Sequence, residues 1–243
     1  MRCLLFYLYL FVICTLCLLL SAVALVICWP FDRRRHVVHE LSRWLVRLYY
    51  AVPPRWSRRI EGLEKLDRSK RYVILLNHNS MLDIPILYFV PLDFRWVSKR
   101  EVCRIPFFGQ LLYLHGDILI NRGRGSEAMA QLLREGSGWL DRGVSVAIFP
   151  EGTRSKDGEI HRFKAGAFQL AREAGAELLP IVMEGTRTMI RPHSIRWNWT
   201  NRITLRILDP VSVGEIRSTE TAELMERTRT RMADALAELR AGK

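Results

Sequence analysis

A chain of 243 residues, 49% of them hydrophobic, can build one large domain or two small ones around a real core, which excludes a disordered chain. Its formal net charge of +12 calls for a partner of opposite sign, and nucleic acid or an anionic membrane are the usual two. Four of its five cysteines, Cys3, Cys14, Cys17 and Cys28, share one apolar stretch with only Cys103 outside it, which excludes a disulfide framework in the rest of the chain.

That stretch comes first. Residues 3–29 carry no charge, and about 20 apolar residues suffice to cross a bilayer core, so the segment predicts a membrane helix or a helical hairpin that enters and returns. It is far longer than the roughly 7 to 15 apolar residues of a signal peptide. Cys14 and Cys17 have C-x-x-C spacing, but no polar partners accompany them, and they read as small packing residues. Between Arg33 and Ile60 stand eight arginines against one acidic residue, Glu40. By the positive-inside rule this sets the bulk of the protein at the cell membrane on its cytoplasmic face. Residues 1–35 are the anchor with its basic flank.

Residues 36–59 follow as an amphipathic helix and linker. "HVVHELSRWLVRLYY" gathers Val37, Val38, Leu41, Trp44, Leu45, Leu48 and Tyr49 on one helical face. Such a helix lies in the membrane interface or docks on a domain core, and the neighbouring arginines, each adding about 1 kcal/mol near an anionic leaflet, favour the interface. From residue 60 to 243 short apolar runs alternate with helical patterns. "YVILL", "FRWVSK", "DILIN", "SVAIF", "ELLPIVM" and "ITLRIL" read as strands, residues 126–140 and 164–174 as helices, and 219–240 as a docking helix. The expectation is an α/β domain, a mixed sheet with helices on both faces and sites at strand ends.

Three polar clusters fall at such ends. After "YVILL", His78 and Asp83 form H-x-x-x-x-D. Five residues apart in a regular helix they would diverge by about 140°. They meet only if His78 sits in a loop and Asp83 in the first turn of the next helix. Paired so, the carboxylate fixes the imidazole tautomer and leaves the other nitrogen able to accept a proton; the bland alternative is a cap that ties down the loop. After "SVAIF", "FPEGTRS" offers a glycine, two hydroxyls and Arg154, whose fork suits phosphate. "GDILINR" delivers Arg122 from a third strand.

Taken together, "NHNSMLD", "GDILINR", "FPEGTRS" and "LLPIVMEG" resemble, in order, the four blocks of the 1-acyl-sn-glycerol-3-phosphate acyltransferase family. The likeness runs over roughly residues 60–188 and includes "SKREVCRIPFFG" between the first two blocks. The resemblance implies transfer of a fatty acyl group from acyl-CoA or acyl-acyl carrier protein to a lysophospholipid hydroxyl. It implies His78 as general base, Asp83 as its orienter, and Arg122, Glu151, Gly152, Thr153 and Arg154 as acceptor-binding residues, Glu151 by orienting the arginines or the glycerol. The donor is a co-substrate, and neither cofactor nor metal is expected. Asn121 departs from the aspartate of many relatives and receives no role.

The implied acceptor is 1-acyl-glycerol-3-phosphate, with another lysolipid such as lyso-ornithine lipid as the alternative within this chemistry. A membrane-anchored protein that only binds anionic lipid is the rival from another class, and it has no need of both His78 and Asp83. Nucleic acid is not an expected partner, because the arginine excess adjoins the anchor and no recognition module accompanies it. A serine hydrolase lacks its G-x-S-x-G elbow.

Overall fold

The computed structural model describes residues 2–51, 55–121, 125–190, 197–198 and 200–242. Two helices open the chain, α1 (Arg2–Cys28) and α2 (His36–Ala51), joined by a turn in which the Asp32 carboxylate accepts from the backbone N–H groups of His36 and Val37. Among the described residues seven strands then form one sheet: β1 (Arg55–Glu61), β2 (Tyr72–Leu76), β3 (Phe94–Lys99), β4 (Ile118–Ile120), β5 (Ser145–Ile148), β6 (Glu177–Glu184) and β7 (Thr200–Ile207). Their order is β1-β7-β6-β2-β5-β3-β4, and every neighbouring pair is parallel except β6 with β7. The helices between and after them are α3 (Asp83–Ile86), α4 (Phe108–His115), α5 (Gly125–Asp141), α6 (Gly166–Ala174), α7 (Val213–Ser218) and α8 (Thr221–Ala241).

Strand β2 is buried along its whole length, as a central parallel strand covered on both faces must be. Its side chains alternate between two cores. Val73 and Leu75 pack with residues of α5, α6, α7 and α8, while Tyr72, Ile74 and Leu76 pack with residues of α1, α2 and α3. Because β2, β3, β4, β5 and β6 point the same way, the loops after them open at one edge of the sheet, and that edge carries the polar clusters.

Two features differ from the sequence reading. Strand β1 was not expected: "RWSRRIE" is too charged to read as a strand, yet it forms an edge that pairs with β7 and buries Trp56. Charge on an edge strand discourages further pairing. The sheet therefore begins at Arg55, and the expected boundary between residues 59 and 60 cuts through β1. Helix α2 docks on the domain through Val38, His39, Ser42, Val46 and Tyr50, whereas Val37 and Trp44 of the expected interfacial face are exposed. The docking alternative holds because its seam is partly polar and finds partners: His39 and Arg43 both reach the Leu92 carbonyl.

Helix α1 is long and apolar enough to cross a membrane by length and composition. It does not project away from the domain. One face, Phe6, Ile13, Cys17 and Ser21, is buried, with Phe6 against Tyr49, Trp56 and Trp197, while Leu4, Leu8, Phe11, Val12, Leu19 and Val23 are exposed.

Candidate active site

The polar residues after β2 are held in place by their neighbours. Asn77, the first of them, is buried, and its side chain continues the ladder to β6: Nδ2 donates to the Met183 carbonyl at 2.9 Å and Oδ1 accepts from the Met183 N–H at 2.7 Å. The chain then turns, so that His78 stands in the loop and Asp83 opens α3, the arrangement the spacing demanded. His78 Nδ1 lies 3.0 Å from Asp83 Oδ2.

That oxygen has two further donors, the N–H groups of Asn79 and Ser80, both at 2.7 Å, and the other carboxylate oxygen accepts from the Thr186 hydroxyl. Four donors thus fix one buried carboxylate in place. They also settle the imidazole tautomer: facing a carboxylate, Nδ1 carries the hydrogen, and Nε2 has no hydrogen-bond partner among the described residues. The Asp83 side chain is 1% exposed and that of His78 12%, so the pair is shielded but reachable. Phe149 stacks on the imidazole at 3.9 Å, and Trp96 stacks on Phe149 in turn.

The loop after β5 braces the His78 loop through its backbone. Ser155 N–H donates to the His78 carbonyl at 2.8 Å, and Glu151 accepts from the N–H groups of His78 at 3.2 Å and His161 at 3.1 Å. Burial pushes the Glu151 carboxyl up from its ordinary value, and these two donors oppose the rise. Among the described residues Glu151 thus holds backbone N–H groups and no guanidinium; Arg122, one of the arginines the sequence reading gave it to orient, with the glycerol as the other option, lies outside them. Arg154 and Thr153 are exposed, and Arg154 makes neither a hydrogen bond nor an ion pair among the described residues. Gly152 has φ +73°, and a side chain there would meet the end of Lys164 at 3.0 Å, which sets an ammonium group against this loop. Arg122 and the end of its cluster lie outside the described residues.

Sequence reasoning missed Lys164 and Thr186. Thr186 had a signal: the tetrapeptide Glu-Gly-Thr-Arg occurs twice, at 151–154 and at 184–187. The two copies follow β5 and β6, the strands on either side of β2, and each has its glycine at positive φ. In the second copy the threonine reaches Asp83, while Arg187 binds the carbonyls of Lys156 and Asp157 and ties the two loops together.

Beside the pair lies an apolar cavity of about 490 Å³, bounded by Met81 and Leu82 of the His78–Asp83 loop, by Phe11 and Tyr49 of the first two helices, and by Phe107 and Leu111. Part of its wall is polar: His115 and Asp117 line it too. His39, His115 and Asp117 form a buried chain, with contacts of 2.9 Å between the histidines and 2.7 Å from His115 to the carboxylate. Burial pushes both imidazoles well down and the Asp117 carboxyl up to about 7. Asp117 belongs to the "GDILINR" cluster and His115 stands two residues before it, but nothing in the sequence joined either to His39.

A family model described as Acyltransferase matches residues 57–184. The 1-acyl-sn-glycerol-3-phosphate acyltransferase of Saccharomyces cerevisiae is 30% identical over 209 residues, 82% of this chain and 68% of its own. The Haemophilus influenzae enzyme of that name is 28% identical over 94% of both chains, and the human 1-acyl-sn-glycerol-3-phosphate acyltransferase beta is 28% identical over 88% of this chain and 77% of its own. Among solved structures, the 1-acyl-sn-glycerophosphate acyltransferase PlsC of Thermotoga maritima superposes with a TM-score of 0.75 over 99% of this chain and 97% of its own. At 23% identity that likeness speaks for the fold alone.

Proposed function

The chain belongs to the 1-acyl-sn-glycerol-3-phosphate acyltransferase family, and from that premise we propose that it acylates the sn-2 hydroxyl of 1-acyl-glycerol-3-phosphate to give phosphatidic acid. The donor is a thioester, acyl-CoA or acyl-acyl carrier protein. The observation that carries the reading is the His78–Asp83 pair with its partnerless Nε2, in a loop whose Met81 and Leu82 line an apolar cavity.

With Nδ1–H held by Asp83, the Nε2 lone pair takes the proton of the acceptor hydroxyl while the oxygen attacks the thioester carbon. The carbonyl electron pair moves onto oxygen, and its return expels the thiolate, which recovers the proton from the imidazolium. Asp83 stabilises that imidazolium. General-base action of this kind is worth roughly 10² to 10⁴ in rate. No cofactor enters, because the thioester is already activated.

The apolar cavity suits a fatty acyl chain in size and lining, since ligand pockets of roughly 300 to 1,000 Å³ are typically apolar with a few polar groups. Arg154 and Lys164 supply uncommitted positive charge for the acceptor's phosphate, joined by Arg122 on the family resemblance. Thr153 offers its hydroxyl to the glycerol, and Gly152 admits the close backbone approach. Helix α1, bound along the domain with its outer face bare, lies within one leaflet and keeps the catalytic domain on the cytoplasmic face of the cell membrane.

Purified protein given 1-acyl-glycerol-3-phosphate with acyl-CoA, and separately with acyl-acyl carrier protein, tests the proposal by mass spectrometry of the product. Phosphatidic acid is expected with at least one donor, and His78→Ala should lose about two orders of magnitude in turnover. Acylation of a lysolipid without a phosphomonoester in preference to 1-acyl-glycerol-3-phosphate would overturn the acceptor. Activity of His78→Ala within about tenfold of the parent would overturn the base.

A further inference from the structure

At the opposite edge of the sheet, where β2, β3 and β5 begin, lies a second concavity of about 330 Å³. Arg34 and His36 reach it from the turn between α1 and α2, Arg68 and Lys70 from the approach to β2, Asp93 from the approach to β3, and Ser145 from the first position of β5. It is remote from His78, which follows the far end of β2: five residues of strand separate the two edges by roughly 16 Å.

Its charges are unevenly committed. Asp93 is occupied by Arg95 at 2.7 Å and by His36 at 3.1 Å, and Lys70 is paired with Glu177 at 2.8 Å. The guanidinium groups of Arg34 and Arg68 have neither a hydrogen bond nor an ion pair among the described residues. Two free guanidinium groups sharing one concavity repel each other unless an anion joins them, and the planar fork is the side chain best suited to phosphate oxygens.

The surroundings say where such a phosphate comes from. Immediately before Arg34 in the chain stand Val26, Ile27, Trp29 and Phe31, all exposed, Phe31 by 91%. Trp29 lies under the Arg35 guanidinium, 5.6 Å from ring centre to carbon. This tip continues the bare apolar face of α1. An apolar and aromatic tip that enters a bilayer, followed within three residues by arginines, holds those arginines at headgroup depth.

We propose that this concavity binds the phosphate of an anionic phospholipid headgroup, a lipid site separate from the one at His78. The proposal does not depend on the acyl-transfer reading, since it uses only the exposed tip and the uncommitted arginines. It is tested with the full-length protein by partitioning onto phosphatidylcholine vesicles with and without phosphatidylglycerol.

The double variant Arg34→Gln with Arg68→Gln should lose about 30-fold in partitioning onto the anionic vesicles, two arginines at about 1 kcal/mol each. It should bind the neutral vesicles as the parent does. A matched pair, Arg134→Gln with Arg217→Gln, removes the same charge from α5 and α7 on the other face of the sheet and should change little. Arg34→Lys with Arg68→Lys should recover part of the loss, which separates a binding defect from a folding one, and circular dichroism checks the fold of each variant.

Equal losses in the two Gln pairs would mean diffuse attraction and overturn the site. Titration with glycerol 3-phosphate forms the second arm. Saturable binding of that soluble anion, lost in the Arg34/Arg68 variant while vesicle partitioning is unchanged, would overturn the lipid as its source.

Discussion

Asp83→Asn isolates the charge of the aspartate from its shape. The carboxylate oxygen facing His78 also accepts from the backbone N–H groups of Asn79 and Ser80. An amide nitrogen there would confront three donors, so the asparagine turns its carbonyl oxygen to that side. Its NH₂ then faces the Thr186 hydroxyl, which can rotate from donor to acceptor. The loop and the imidazole tautomer survive, and only the negative charge beside the nascent imidazolium is lost. Unit charges about 4 Å apart at an effective dielectric near 20 interact by about 4 kcal/mol. Solvent reaching the ring and the remaining carbonyl dipole reduce this to about 3 kcal/mol, or roughly 10² in turnover. The assay is initial-rate formation of phosphatidic acid, with both substrates varied and the fold checked by circular dichroism. The loss should fall on kcat, with KM for each substrate nearly unchanged. A kcat within about tenfold of the parent, or a loss carried mainly by KM, would refute the imidazolium as the species Asp83 stabilises.

Thr186→Val removes one hydroxyl donor from Asp83 and should lower kcat by about tenfold, the worth of one buried hydrogen bond to a charged group; an unchanged kcat would make the contact incidental. Arg154→Ala and Lys164→Ala should each raise KM for 1-acyl-glycerol-3-phosphate more than KM for the donor, measured in the same assay; equal effects on both substrates would remove these residues from the phosphate. Asp117→Asn tests the buried carboxyl. Its pKa rises from 3.8 unfolded to about 7 folded, so below pH 4 both states are protonated and burial costs nothing in charge. As pH climbs from 4 to 7 the unfolded chain ionises first and the parent loses stability. Relative to the parent, the variant should therefore gain on the order of a few kcal/mol across that window in denaturant titrations, on top of any constant offset. A pH-independent difference would mean that Asp117 is ionised in the fold throughout.

How much of this was legible in the sequence depends on how local each determinant is. Strand β2 and the His78–Asp83 turn were readable because an apolar run, a loop and a helix start lie within a dozen residues, and the pairing condition follows from helix geometry alone. Glu151 was read as a site residue, but its hold on the backbone N–H groups of His78 and His161 was not, because no sequence pattern announces a backbone donor. The buried chain from His39 through His115 to Asp117 was invisible for a related reason. It is assembled from α2, α4 and the approach to β4, and although Asp117 falls in a quoted cluster, no local pattern links it and His115 to His39, which stands 76 residues before His115.

Helix α1 marks the boundary between composition and fold most clearly. A run of 27 uncharged residues is the same string whether the helix crosses a bilayer or lies along it, since both environments reward apolar side chains. The difference resides in what the rest of the chain offers. Phe6 finds Tyr49, Trp56 and Trp197, and Tyr9 donates to the Leu48 carbonyl at 2.8 Å. Helix α2, pinned to the domain by His39 and Arg43, presents the surface on which α1 rests. With one face fixed along the domain, a crossing α1 would carry polar strands and loops toward hydrocarbon, where each unsatisfied backbone group costs several kcal/mol, and this is what favours the flat placement proposed above. In the proposed flat placement it would bring Met81 and Leu82 of the His78–Asp83 loop, and the cavity they line, to the bilayer surface, where a lysolipid acceptor would present its hydroxyl.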